Sequence, residues 1–340
     1  MQPVRAFIRI VLLSTLIVLA GTLTGCGGSS PGSSATTSAS TATATASPRA
    51  SDSSRAGAVV ARVPVGSQPD GLTSAAGSVW VACADGTVTR IDPESRRVLA
   101  TVRAGSGAIA VTGDPHAVWV ANYGAGTVTR IDPASNTVTA TVPVGTNPVG
   151  LALVGGHLWV AVQGDGTLVE LDARSGRRLR SVGVAAGSGF LTLADGVLWV
   201  PDFSGTTRTV LRVDPASGRT IARVPVGAGP IDASFAGSAG WVSNTGDATV
   251  TRFDPTSGAR SATVGVSGGS LGPLLATPRA VWVSVYAGAS MVRIDPSTAA
   301  VVGRVATGPN PQNLIDVAGD IWVAEGGAND VAVIHPARVP

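Results

Sequence analysis

The chain has 340 residues, of which 44% are hydrophobic, 13% are charged and 44 are glycine. This length is ample for a large core, although no long helical pattern runs along the chain to build one. The formal charge is +3, and its arginines are scattered without runs while lysine is absent. Such a distribution argues against a nucleic-acid-binding surface.

The N-terminal segment has the features of an export signal. Arg5 and Arg9 precede the apolar stretch "IVLLSTLIVLAGTL", which is too short to be a comfortable transmembrane helix. The stretch is followed by small residues and ends in "LTGC" at Cys26. We therefore predict a signal peptide over residues 1–25, whose removal takes two units from the formal charge.

"LTGC" resembles the lipobox of bacterial lipoproteins, and the resemblance implies that Cys26 carries a diacylglycerol and begins the mature chain. An ordinary signal with a chance cysteine is the alternative. Two acyl chains are sufficient for stable anchoring. Residues 26–57 are almost entirely Ser, Thr, Ala, Gly and Pro, and this composition predicts a disordered linker. We thus expect an extracytoplasmic protein that is lipid-anchored to the bacterial cell membrane.

The remaining region, 58–340, repeats one phrase around each of the seven tryptophans of the chain. Successive tryptophans lie 39 to 42 residues apart, and most copies continue to an Asp-Pro turn. Each copy is predicted to form four short strands, because apolar β-branched runs alternate with Gly, Asn, Asp and Pro. Four strands at this period are typical of a propeller blade. The tryptophans are Trp80, Trp119, Trp159, Trp199, Trp241, Trp282 and Trp322.

The two ends of the repeat region are complementary. "VVARVPVG" at 59–66 matches the fourth strand of the repeat, as in "TVTATVPVG", but it precedes the first tryptophan. The last copy stops at "VAVIHPARVP", where its own fourth strand would follow. The fold class predicted is therefore all-β: a seven-bladed β-propeller of four-stranded blades, in which the N-terminal strand completes the last blade. Such closure leaves no free edge to the ring of blades.

The phrase "VWVANYGAGTVTRIDPASNTVTATVPVG", residues 118–145, resembles the YVTN-repeat propellers described with surface-layer proteins, and the resemblance covers 58–340. Streptogramin B lyases and NHL-type propellers share this general look. The resemblance implies a propeller but says little about chemistry. For the lyases it implies histidines and a glutamate near a magnesium ion on the channel face. We expect His116 and His157 on the opposite face, and His335 replaces a turn aspartate, so we do not transfer this activity.

Loops between the second and third strands, and between the fourth and first strands, are predicted to form the binding face. Their sequences vary between copies whereas the flanking strands do not, as is typical of binding loops on a rigid scaffold. Asn and Asp also suit tight turns regardless of function. Cys83, at one of these positions, is predicted to be a small buried side chain. The predicted ligand-binding residues are Asp70, Asn122, Gln163, Asp202, Asp232, Asn244, Tyr286, Asn313 and Glu325.

The leading functional hypothesis is a binding or interaction module that uses its channel-face loops. The partner could be a protein, a cell-wall polymer or a small molecule, and we expect a monomer without nucleic acid, cofactor or metal. No catalytic set stands out; the alternative is a lyase-like or hydrolytic enzyme that uses Glu325. The aspartates of the repeated turns are predicted to shape type I turns rather than bind metal. They are Asp92, Asp132, Asp172, Asp214, Asp254 and Asp295.

Overall fold

The computed structural model describes residues 58–184, 187–203 and 207–339. Within these ranges, 28 strands form seven antiparallel four-stranded sheets. The fold class predicted from the sequence, a seven-bladed β-propeller, is confirmed. The predicted signal peptide, Cys26 and the linker lie outside the described residues. No helix in the described ranges is long and apolar enough to cross a membrane.

The first strand, Val59–Pro64 (β1), precedes the first blade. Blade 1 then consists of Pro69–Ala75 (β2), Ser78–Cys83 (β3), Thr87–Ile91 (β4) and Val98–Arg103 (β5). Blade 2 consists of Ala108–Gly113 (β6), Val118–Asn122 (β7), Thr127–Asp132 (β8) and Thr137–Pro143 (β9). Blade 3 consists of Pro148–Val154 (β10), His157–Val162 (β11), Thr167–Asp172 (β12) and Arg178–Gly183 (β13).

The next three blades repeat this order. Blade 4 consists of Thr192–Ala194 (β14), Val197–Pro201 (β15), Thr209–Val213 (β16) and Thr220–Pro225 (β17). Blade 5 consists of Pro230–Ala236 (β18), Ala239–Asn244 (β19), Thr249–Phe253 (β20) and Arg260–Gly265 (β21). Blade 6 consists of Leu271–Ala276 (β22), Val281–Val285 (β23), Ser290–Asp295 (β24) and Ala300–Ala306 (β25).

Blade 7 combines both ends of the described chain. Its first three strands are Pro311–Val317 (β26), Asp320–Glu325 (β27) and Asp330–Ile334 (β28), followed by a short 3-10 turn at Pro336–Arg338. Its outer strand is β1, which pairs antiparallel with β28.

Each tryptophan lies in the interface between its own blade and the next one. All seven indoles are at most 2% exposed. Trp80 belongs to the same buried cluster as Val111 and Val118 of blade 2. Trp322 of blade 7 clusters with Val79 of blade 1. The periodic indole thus supplies a large apolar side chain to each blade-to-blade interface, which explains why it returns in every copy.

In blade 1, an arginine of the third strand stacks on the ring of the buried indole. Arg90 is paired with Trp80 across the strands, and its guanidinium lies 5.2 Å from the ring centroid. The same guanidinium donates to the Pro133 carbonyl at 2.6 Å and to Asn136 Oδ1 at 3.0 Å, both in the next blade. Arg90 therefore joins cation–π stacking to an interblade hydrogen bond. Similar stacking occurs at Trp159, Trp199, Trp241 and Trp282.

The turn aspartates cap their own turns. Asp92 Oδ1 accepts hydrogen bonds from the backbone N–H of Ser95 at 2.7 Å and from its hydroxyl at 2.6 Å. These bonds hold the pKa of Asp92 below its usual value, and bonds from Ser297 and Thr298 lower the pKa of Asp295 to about 2. No group of three or more His, Cys, Asp or Glu among the described residues is placed to hold a metal ion.

Candidate functional site

The first strands of the seven blades surround the central channel, and six of them begin with an irregular register. In blade 1, Pro69 pairs with Cys83 but Leu72 pairs with Val81, so two residues lie opposite one. Blades 2, 3, 5, 6 and 7 show register shifts at the corresponding place. Such bulges re-aim side chains relative to a regular ladder. Side chains near the start of these six first strands therefore do not follow the alternation of a regular strand.

Three of the predicted binding residues lie inside first strands. Asp70 is in β2, Asp232 in β18 and Asn313 in β26. The prediction that these residues belong to connecting loops is wrong, because each strand already begins at a proline one or two residues before the predicted residue. These residues are consequently held by a sheet rather than by a variable loop.

A cavity of about 230 Å³ lies between the first strands. Every blade contributes to its lining, and most of the lining side chains are apolar. The polar side chains among them are Thr112, Thr192, Asp232, Ser234 and Asn313. A concavity with a few convergent polar side chains is a common form of small-molecule site.

Asp232 is the ionisable side chain of this cavity. It is 8% exposed. Its Oδ1 accepts a hydrogen bond from the N–H of Ala233 at 2.9 Å, and its Oδ2 accepts one from the N–H of Leu274 in blade 6 at 3.1 Å. Burial raises the pKa of Asp232 to about 7, although both hydrogen bonds favour the charged form.

Asp70 lies two residues before Leu72 of the cavity lining, nearer to the loops that precede the first strands. Its Oδ1 is buried and accepts no hydrogen bond from the described residues. Burial raises the pKa of this carboxyl to about 7. Asp70 also faces a crevice of about 10 Å³ with Asn310 and Gln312 on the blade 7 side. It therefore combines high desolvation with spare acceptor capacity.

The phenol of Tyr286 interacts electrostatically with the carboxyl groups of Asp70 and Asp232. It directly follows β23 and is 8% exposed. Its ring fills the space beside Gly272, where an added Cβ would lie 2.5 Å from the ring Cε1. Burial, and then the charges of Asp70 and Asp232, raise the pKa of the Tyr286 phenol well above its usual value. Tyr286 therefore lies within the electrostatic influence of both carboxyl groups.

Three other predicted residues end second strands and are fully buried. Asn244 Oδ1 accepts a hydrogen bond from the N–H of Gly227 at 3.1 Å, and Glu325 Oε1 accepts one from the N–H of Gly308 at 2.7 Å. Asn122 packs in the same way beneath the loop that precedes its own blade, donating to two threonine hydroxyls. Asn244 and Glu325 thus hold the fourth-to-first loops, whereas Asn122 Oδ1 accepts no hydrogen bond from the described residues.

Glu325 has a further partner in the N-terminal strand. The guanidinium of Arg62, in β1, forms an ion pair with its carboxylate and a longer contact with Asp330. Because Glu325 is 0% exposed, Arg62 supplies the counter-charge that its buried carboxylate requires. This residue is therefore tied to the outer strand of blade 7.

Gln163 and Asp202 lie near the junction of blades 3 and 4. Asp202 is 1% exposed and forms an isolated bridge with Ser188. The side-chain amide of Gln163 donates to the Ser188 carbonyl at 3.4 Å. Neither residue lines the channel cavity. The structure thus places Asp232 and Asn313 in the cavity lining and the other predicted residues outside it.

The three histidines of the chain lie at the opposite ends of the strands. His157 begins β11, and its Nδ1 is 2.7 Å from Glu170 Oε1. His335 follows β28, and its Nδ1 lies 2.7 Å from Oδ1 of Asp320, the first residue of β27. His116 precedes β7 in the hairpin from β6. All three positions belong to the face opposite to the loops near Tyr286.

Some residues of the site were missed by the sequence reasoning. Ser234, Thr192 and Thr112 line the cavity, and Ser234 Oγ accepts a hydrogen bond from the N–H of Ala276 in the neighbouring blade at 2.9 Å. Their signal was positional, since all three lie in first strands. Gly272 was missed as well, although it permits the Tyr286 ring to enter the channel.

No family model matches the sequence, and no curated protein matches it. Among solved structures, Kuenenia stuttgartiensis hydrazine synthase is similar with a TM-score of 0.72 and 16% identity, over 79% of this chain and 96% of that chain. Virginiamycin B lyase from Staphylococcus aureus has a TM-score of 0.68 and 14% identity, over 81% and 98% respectively. A streptogramin B lyase structure gives 0.68 and 14%, over 80% and 96%. At these identities the similarity shows the β-propeller fold.

Proposed function

We propose that this chain is a lipid-anchored, extracytoplasmic binding module that takes a small molecule into its central channel. The observation that carries the proposal is the cavity of about 230 Å³ lined by all seven blades. At about 30 Å³ per water-sized group, it has room for about eight ligand atoms other than hydrogen. This size favours a small molecule over a protein or a polymer as the occupant of the channel.

The chemistry of the lining supports a binding role. Asp232 and Asn313 supply polar side chains that can fix the orientation of a ligand. The channel walls are innermost strands of packed sheets, so the cavity requires little rearrangement to accept a ligand. The loop-face residues that hold the scaffold, such as Glu325, support the site without entering it.

A ligand screen with a channel-blocking variant tests this proposal. Small molecules that bind the full-length protein are identified by ligand-observed NMR, and each is then tested against Thr112→Phe, which places a ring at the cavity wall. The matched control is Thr220→Phe on the exposed outer strand of blade 4. Binding that is lost only in Thr112→Phe supports the channel site. Binding that survives Thr112→Phe, or an empty screen, contradicts it.

The anchor is tested separately. If Cys26 carries a diacylglycerol, the full-length protein expressed in a bacterial host incorporates labelled fatty acid and enters the detergent phase on Triton X-114 partition. Cys26→Ala abolishes both properties, whereas Cys83→Ala, which removes a fully buried thiol, leaves them intact. Equal labelling of the wild type and Cys26→Ala contradicts lipidation at this residue.

The second candidate is an enzyme similar to the streptogramin B lyases, which share the propeller fold with this chain. Fold similarity is weak support for an activity, since propellers host unrelated functions. Glu325 is engaged with Arg62 and the histidines lie on the other face, so such an enzyme would need a different catalytic set. Magnesium-dependent opening of a cyclic depsipeptide lactone by the purified protein would establish this candidate.

A further inference from the structure

We propose that the propeller docks on the bilayer that holds its anchor, through the face of its Asp-Pro turns, and that arginines there bind the phosphates of anionic lipids. This face, called the turn face, carries the third-to-fourth turns and the first-to-second hairpins of the blades. The docking rests on the lipid anchor of the proposed function and adds a contact surface and an orientation to it.

The described chain enters the ring of blades on the turn face. Val59 of β1 pairs with Ile334, and the N–H of His335 donates to the Ala58 carbonyl at 2.8 Å. His335 occupies the place of the turn aspartate in blade 7. In the sequence, 31 residues separate Ala58 from the predicted lipid site, Cys26. A flexible chain of this length spans about 30 Å. The tether therefore leaves from the turn face and keeps it near the bilayer, where weak contacts are sufficient for docking.

Exposed aliphatic side chains collect on the turn face. Seven large aliphatic residues of the described ranges are 40–54% exposed. Six of them lie within the first three residues of a fourth strand, which begins at the turn face, and Leu193 lies one residue before the end of β14, which ends there. Aliphatic side chains that reach the headgroup boundary contribute to interfacial binding. The six are Val98, Leu99, Val138, Ile221, Val301 and Val302.

Exposed arginines cluster on the same face in blades 3, 4 and 5. Arg180 of blade 3 donates to the Pro215 carbonyl in the turn of blade 4 at 2.6 Å. Arg212 of blade 4 donates to the Thr256 carbonyl in the turn of blade 5 at 3.0 Å. The three turns are therefore neighbours in space. Their exposed arginines, called the arginine sector, form no ion pair with a described residue. They are Arg174, Arg177, Arg178, Arg219 and Arg260.

The carboxylates of the same turns leave the arginines in excess. Each turn has one aspartate, and each aspartate accepts a hydrogen bond from the serine hydroxyl of its own turn. Five exposed guanidinium groups are thus balanced by only three carboxylates, those of Asp172, Asp214 and Asp254. A guanidinium group binds phosphate oxygens in a bidentate manner, so this sector suits a surface of phosphates.

An anionic bilayer fits this face better than a soluble polyanion or a second copy of the chain. Ile221 and Leu193 of blade 4 lie in the same part of the turn face as the arginine sector. A soluble polyanion would engage the arginines alone, and a second copy would bring arginines against arginines. A bilayer offers phosphates to the arginines and an apolar boundary to the aliphatic side chains.

The orientation of the lipidated full-length protein on vesicles tests the docking. Ala134 and Ala125 are exposed and lie beyond the two ends of β8, at the turn face and the loop face respectively. At about 3.3 Å per residue, they differ in height by about 20 Å or more. A single cysteine at either position accepts a fluorescent donor, because Cys83 is fully buried. Energy transfer to an acceptor on the lipid headgroups is then measured.

The vesicles contain phosphatidylcholine alone or equal parts of phosphatidylcholine and phosphatidylglycerol. On the anionic vesicles we expect more transfer from the label at Ala134→Cys than from the label at Ala125→Cys. This excess is expected to fall at high salt, because exposed charges are screened, and to be smaller on phosphatidylcholine alone.

Paired substitutions test the two kinds of contact. Each arginine near an anionic surface shifts the docking equilibrium by about fivefold, so Arg177→Gln with Arg219→Gln is expected to reduce it by about 25-fold. The matched control is Arg103→Gln with Arg208→Gln, which removes two exposed arginines from the loop-side ends of outer and third strands. Leu99→Gln with Ile221→Gln is expected to reduce the excess transfer as well, without changing the melting temperature.

The outcomes separate docking from anchoring. If the protein floats with anionic vesicles but transfer is equal at the two sites, or greater at Ala125→Cys, docking by the turn face is overturned and the anchor stands. If it floats with neither vesicle, the anchor and the docking both fail. An equal excess on phosphatidylcholine alone, or an equal loss in the control pair, overturns phosphate recognition by the arginine sector. If the solubilised protein is a dimer that Leu99→Gln with Ile221→Gln separates, the face belongs to a second copy and docking is overturned.

Discussion

The Asp70→Asn substitution should remove part of the pH dependence of the free energy of unfolding. Burial raises the pKa of Asp70 from 3.8 to about 7. Between these values the native state holds a proton that the unfolded state has released, so the free energy of unfolding falls as pH rises through this window. At 1.36 kcal/mol per pKa unit, the loss between pH 5 and pH 8 is about 3 kcal/mol for this group. Asparagine cannot ionise and removes that loss.

Urea unfolding of the wild type and Asp70→Asn at pH 5, 6, 7 and 8 measures the effect. We expect the difference in unfolding free energy, variant minus wild type, to rise by about 3 kcal/mol from pH 5 to pH 8 in favour of the variant. Asp232 retains its own dependence in both proteins and cancels in this difference, and Asp195→Asn should show no such change. A difference that stays constant with pH would refute the argument that Asp70 is desolvated.

Two further predictions concern packing around the site. Gly272→Ala should lower the free energy of unfolding by about 1–3 kcal/mol, because the added Cβ would lie 2.5 Å from the Tyr286 ring. The control is Gly265→Ala, where no atom lies within 4 Å of the added Cβ. Equal losses of stability in the two variants would contradict the prediction. Arg62→Met should cost about 3 kcal/mol and expose β28 to hydrogen exchange, since Glu325 would keep a buried unpaired charge. Unchanged exchange in β28 would contradict it.

Most of the fold could be predicted because the repeat is regular. Tryptophan spacing, Asp-Pro turns and the composition of the strands each indicate the same four-stranded unit, and the structure contains seven of them. The arginines that stack on five of the seven indoles were less visible, since their importance depends on strand register. Blade 3 illustrates this, because Glu170 lies opposite Trp159 and Arg180 of the fourth strand provides the stacking instead.

The candidate site could be predicted only in part. Asp70, Asp232 and Tyr286 were predicted from their place in variable segments of the repeat, yet their burial depends on bulges and on the absence of a side chain at Gly272. Conversely, Glu325 was predicted to bind a ligand, and the structure gives it an ion pair with Arg62 across 263 residues of sequence. A single repeat does not predict long-range pairs of this kind, because they form only in blade 7, where β1 pairs with β28.

The most direct test of the channel as a ligand site is a crystal structure of the full-length protein grown with a small-molecule probe whose binding is lost in Thr112→Phe. The account predicts density for the probe between the first strands, in the cavity that Asp232 and Asn313 help to line. A structure in which the cavity contains only water, or in which the probe binds elsewhere, would contradict it.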